Sequence, residues 1–169
     1  MSKLVTVLGA TGAQGGSVIQ ALLNTEGYKL RAITRSVKSE KAQALAAQGV
    51  EVVEADVNDL LSLKAAFAGS YAIYAVTNFF EAFPSVGKDR AIEIEVQMGI
   101  NIADAAAATL ELQHFVWSTL PNSKRNTGGK VVVPHYEGKN QVDEYIKSLP
   151  DLAEKTTFML VPWYAQNIL

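Results

Sequence analysis

A doubly wound parallel α/β sheet is the fold this sequence predicts, on three observations. Short apolar runs alternate with segments of helical spacing along the chain. The first run, residues 4–8, is continuous and rich in β-branched side chains, as suits a central strand buried on both faces. A glycine-spaced turn, residues 9–16, follows that run and leads into a helical pattern. Six such runs joined by helical crossovers give an expected strand order of 3-2-1-4-5-6.

The elements follow in order. After the glycine turn, Val18, Ile19, Leu22 and Leu23 share one helical face. Residues 29–34 make a second strand. Residues 39–48, rich in Ala, Lys, Glu and Gln, are helical by propensity, and Gly49 sits where a C-terminal cap belongs. A third strand spans 50–54, and a short helix over 60–67 starts at Asp59, a good N-cap. The fourth strand spans 71–76. The longest helical stretch is 91–108, with Ile94, Met98, Ile102 and Ala105 on one stripe and alanines 105–108 packed against the sheet. Strands over 114–117 and 157–161 flank a helix over 139–147. Two segments break the rhythm: 79–88, with Phe79, Phe80, Phe83 and Pro84, and 121–134. Both read as long connections beyond strand ends, where such sheets keep their ligand crevice.

The chain has 169 residues, 49% apolar and 19% charged, which suits one domain over 1–169 and excludes wholesale disorder. With no cysteine, a disulfide scaffold and a thiolate metal site are excluded, and no His/Asp/Glu cluster has metal-ligand spacing. Fifteen Lys and Arg against seventeen Asp and Glu leave no positive excess for direct nucleic-acid binding. Lys124, Arg125 and Lys130 therefore read as a solvated patch. No run approaches the roughly 20 apolar residues of a membrane span, and no long uncharged apolar stretch precedes a small-residue cleavage site, so a secretory signal is not expected. The expected location is cytoplasmic, with a nuclear one also open.

Gly9-Ala10-Thr11-Gly12-Ala13-Gln14-Gly15 carries the chemistry. Its glycines permit a tight turn, approach of backbone to pyrophosphate, and close strand–helix packing, while the helix N-terminus offers free N–H groups. The second strand ends at Arg35, where an acid would accept from the ribose hydroxyls of NAD. A guanidinium there suits a 2′-phosphate instead, so NADP(H) is expected over NAD(H). The plain alternative is a solvated arginine. Asp56, ending the third strand, reads equally as an acceptor at the adenine edge or as the cap of the next turn.

Together these segments resemble the NmrA-like family of atypical short-chain dehydrogenases. Residues 9–18, Thr34-Arg35, Glu54-Ala55-Asp56, Val76-Thr77-Asn78-Phe79-Phe80-Glu81, His135-Tyr136-Glu137-Gly138-Lys139 and Pro162-Trp163-Tyr164-Ala165-Gln166-Asn167 carry the likeness over the whole chain. The resemblance implies a Rossmann domain binding NADP(H), and a subgroup that senses the NADP(H) balance and acts on regulatory protein partners. It implies that Gly9, Thr11, Gly12, Gln14 and Gly15 hold pyrophosphate, Arg35 and Lys38 the 2′-phosphate, and Asp56 and Val57 the adenine. Thr77, Asn78 and Phe79 would line the path to the nicotinamide ribose, and Lys139, Tyr164 and Asn167 would approach the nicotinamide. Proteins of this family continue into a smaller C-terminal lobe. The chain ends at Leu169, so the expectation is that the lobe is absent and that Trp163 and Tyr164 are covered by a second copy or stay open.

Short-chain reductases use a tyrosine four residues before a lysine, and no Tyr-x-x-x-Lys occurs here. Tyr136 precedes Lys139 by three, and Ser118 stands where such enzymes keep a substrate-orienting serine. Ser118, Tyr136 and Lys139 form a reduced catalytic set, or Lys139 serves only the nicotinamide ribose. Three functions stay open: a cofactor-sensing regulator with little or no turnover, an NADPH-dependent reductase of a small carbonyl or quinone, and a folded remnant that binds nothing.

Overall fold

Six parallel strands lie in the order β3-β2-β1-β4-β5-β6 in the computed structural model, which describes residues 2–164. The strands are β1 (Lys3–Leu8), β2 (Tyr28–Thr34), β3 (Glu51–Glu54), β4 (Ala72–Ala75), β5 (His114–Thr119) and β6 (Thr156–Leu160). All five pairings are parallel, with Val5 opposite Leu30 on one side of β1 and opposite Ala72 on the other. The helices are α1 (Ala13–Leu22), α2 (Glu40–Ala47), α3 (Leu60–Phe67), α4 (Phe79–Ala107), α5 (Ser123–Asn126), α6 (Pro134–Lys147) and α7 (Pro150–Ala153).

Alternation along the strands divides the core into two layers. On one face Val5, Val7, Leu30, Ala32 and Tyr74 pack with Ile19 of α1 and Leu45 of α2. On the other, Leu8, Ile33, Ile73, Phe115 and Trp117 meet Leu63 and Phe67 of α3, Ile102 and Ala106 of α4, and Val142 and Ile146 of α6. The expected cap at Asp59 is present, and Ser39, read as the first helical residue, instead caps α2. The Ser39 hydroxyl accepts from Ala42 N, and Asp59 Oδ1 accepts from Leu61 N and Ser62 N.

The structure corrects the reading of residues 79–88. They are not an irregular connection but the first turns of α4, started by Asn78 Oδ1 accepting from Phe80 N. Pro84 lies inside this segment, and Gly87, at φ 76° and ψ 175°, breaks the helix before it resumes. The α4 stripe is also shifted. Ala91, Glu95, Gly99, Ile102 and Ala106 are buried, while Ile94 and Met98 are only half-buried, so a carboxylate occupies a core position. The second connection holds the short α5, started by Asn122, and α6 begins at Pro134, earlier than the expected 139.

Candidate functional site

A cleft of about 930 Å³ opens beyond the carboxyl ends of β1 to β4. It sits where β1 has β2 on one side and β4 on the other, the place where connections leave in opposite directions and such sheets bind ligands. Its volume falls within the roughly 300–1,000 Å³ of small-molecule sites.

The glycine turn forms its floor. Gly9 adopts φ 71°, Gly12 N donates to Gly9 O at 2.9 Å, and α1 starts with no side chain capping it. The first-turn N–H groups and the positive end of α1 are left for an anion. A Cβ on Gly15 would lie 2.3 Å from Gly9 O, so only glycine permits this approach of helix to strand. This cradle fits a pyrophosphate. Thr11, Gly12, Gln14 and Gly15 all line the cleft.

Gln14 ties the turn to its surroundings. Its Oε1 accepts from Tyr74 OH at 2.5 Å and Ser118 Oγ at 2.6 Å, and its Nε2 donates to Tyr164 OH at 2.5 Å. Burial pushes the Tyr74 phenol above its ordinary value, with the Ser118 hydrogen bond opposing.

At the end of β2, Arg35 lines the cleft and its Nη1 donates to Glu81 Oε1 from the first turn of α4. Lys38 does not line the cleft. Lys41 does, reaching Thr11 O, because the Ser39 cap sets a helical register that turns residue 41 toward the glycine turn. Asp56 and Val57 line the far end, and Asp56 Oδ1 accepts from Asn58 N and Nδ2, both at 2.9 Å. In this state Asp56 makes the turn-capping bonds.

Thr77 and Asn78 line the near wall, but Phe79 turns inward, is buried, and stacks on Phe83. Behind Thr77 lies a buried ionic cluster. Lys139 Nζ donates to Thr77 O at 2.9 Å and to Thr77 Oγ1 at 2.8 Å, and stands 3.3 Å from Glu95 Oε1. Thr77 Oγ1 donates to Glu95 Oε1 at 2.8 Å, while Glu95 Oε2 is buried without a partner. Burial pushes the Lys139 ammonium below its ordinary value, and the Glu95 carboxylate opposes that shift. Burial likewise lowers His135.

The reduced catalytic set is not assembled. Ser118 bonds Gln14 of α1, whereas its neighbours Trp117 and Thr119 bond Asp143 of α6. Strand alternation thus puts the serine on the opposite face of the sheet from the helix that carries Tyr136 and Lys139. Neither Tyr136 nor Lys139 lines the cleft, and Asn167 lies outside the described residues.

Sequence reasoning missed Lys41, Glu81, Tyr74 and Glu95. The signal for Glu95 was present, since it falls four residues from both Ala91 and Gly99. Among the described residues no cluster is placed to hold a metal ion, and no helix is long and apolar enough to cross a membrane.

The family model described as NmrA-like family matches residues 1–169. The NmrA-like family domain-containing oxidoreductase hkm9 of Aspergillus hancockii is 36% identical over 169 residues, covering 99% of this chain and 48% of that protein. Among solved structures, NmrA, a negative transcriptional regulator, aligns over 99% of this chain and 48% of its own, with 25% identity and a TM-score of 0.79. NmrA has been crystallised with NAD and with NADP. Triphenylmethane reductase of Citrobacter sp., in complex with NADP(H), aligns over 99% of this chain and 52% of its own, with 26% identity and a TM-score of 0.74. The chain spans about half the length of the relatives it matches.

Proposed function

From the premise that this chain belongs to the NmrA-like family, we propose that its cleft binds a nicotinamide dinucleotide, NADP(H) before NAD(H), and that it reports cofactor state to a regulatory partner with little or no turnover. The observation that carries this reading is the convergence of the uncapped α1 N-terminus and the Arg35 guanidinium on one cleft. The first suits a pyrophosphate and the second a terminal phosphate. Low turnover is supported by the separation of Ser118 from α6 and by Lys139 being held on Thr77 and Glu95. NmrA itself is described as a negative transcriptional regulator.

Calorimetric titration with NADP and NAD tests the binding. Wild type is expected to favour NADP, and Arg35→Asp to lower that preference at least about tenfold, because a charge-assisted contact becomes a repulsive one. A ratio of NADP to NAD affinity left unchanged in Arg35→Asp overturns the assignment of Arg35.

A second reading, an NADPH-dependent reductase of a small carbonyl or quinone, is favoured by the oxidoreductase names of the fungal relatives. Bound NADPH would supply a hydride to the substrate. Lys139 is then the residue to orient the nicotinamide ribose or, with Tyr136, to supply a proton. NADPH oxidation in the presence of quinones and aldehydes, lost in Lys139→Ala, favours this reading over the regulator.

A further inference from the structure

The Arg35 guanidinium is not a free phosphate receptor. Its side-chain partner is the Glu81 carboxylate, and both residues line the cleft. The two come from separate elements, the end of β2 and the first turn of α4, so the pair closes across the cleft rather than along one helix. Both side chains remain open to solvent, at 72% and 51% exposure, which makes the pair weak enough for a ligand to displace.

We propose that Glu81 is a specificity-determining residue opposed to Arg35, holding back the 2′-phosphate and favouring the unphosphorylated ribose; this rests on the cleft binding a nicotinamide dinucleotide. A 2′-phosphate that takes the guanidinium bidentately must first displace the carboxylate. The displaced carboxylate then stands near a phosphate dianion, and the like charges repel. An unphosphorylated ribose meets the opposite situation. Its hydroxyls donate to carboxylate oxygens, the role an acid plays at the ribose in NAD-binding sheets. Arg35 can keep its ion pair meanwhile. The cleft therefore carries a determinant for each nucleotide, on facing walls, and each weakens the other's ligand.

Glu81→Gln tests this, with NADP and NAD titrated by calorimetry on wild type and variant. The substituted amide is neutral and keeps the shape, so NADP affinity is expected to rise roughly threefold, within the factor of about five an exposed ion pair is worth. NAD affinity is expected to fall by a similar factor, so the ratio of the two shifts by about tenfold. A ratio changed by less than about twofold, or a fall in NADP affinity, overturns the proposal and would mean that Glu81 pre-orients Arg35. If wild type binds neither nucleotide, the dinucleotide reading itself fails and this proposal with it. Binding with an unmoved ratio sinks the proposal alone.

Discussion

Asp143 shows how much one side chain's surroundings govern. Its Oδ1 accepts from Trp117 Nε1 and its Oδ2 from Thr119 Oγ1, both at 2.9 Å, pinning α6 to β5. Burial nonetheless raises its carboxyl above the ordinary 3.8, those two hydrogen bonds opposing. The native state then binds the proton more tightly than the unfolded chain does. Stability from that group is full below 3.8 and is lost as pH rises through the folded value. The lost acceptor gives wild type a lead in urea midpoint over Asp143→Asn at low pH, and that lead should shrink as pH rises across the acid range. A constant offset alone would mean that Asp143 titrates as it does unfolded. Individual positions beside the cleft were legible in the sequence only where a strand end dictated them. Arg35, Thr77 and the glycine turn are where their motifs placed them, beside the cleft. Lys38, Phe79 and Ser118 are not, because helix register and strand parity decide which way a side chain turns. Trp117 was the available clue: a tryptophan at β5 claims the packed face, which sends Ser118 to the other.

Among the elements, α4 departs furthest from expectation. Its opening turns hold Pro84 and end at Gly87, two residues that read as punctuation. The Asn78 cap and the stacking of Phe79 on Phe83 outweigh that signal and keep 79–86 helical up to the break. Gly87 combines a positive φ with an extended ψ, a region essentially closed to other residues. A Cβ there would touch nothing within 4 Å, so any cost of Gly87→Ala is backbone strain alone. Thermal melts should show a loss of about 1–3 kcal/mol. An unchanged stability would mean that the break can close into a continuous helix. Because Glu81 rides on the turns before Gly87, the same variant should also disturb cofactor discrimination.

At the scale of the whole molecule, strand order was the most legible feature, since alternating runs and one glycine turn leave few topologies to choose among. Ligand linkage should be equally global. Anything bound by the cleft and not by the unfolded chain stabilises every element together, by about 2.7 kcal/mol at a ligand concentration 100 times Kd. For a chain of this size NADP should then raise the melting temperature by roughly 5–10 °C, and Arg35→Asp should need more NADP for the same rise. A melting temperature unmoved by saturating nucleotide would remove the cleft as a binding site. The central place of β1 has a further consequence, for synthesis. Its second neighbour is β4, with Val5 set against Ala72, so the earliest strand of the sheet is completed late. Until Ala72–Ala75 emerges, a nascent chain carries a nearly continuous apolar strand with one edge unpaired. Such non-local pairing is slow, and an open edge of this kind is where chains join one another by mistake. Between the making of Leu8 and the making of Ala75, β1 therefore stands open to such mispairing.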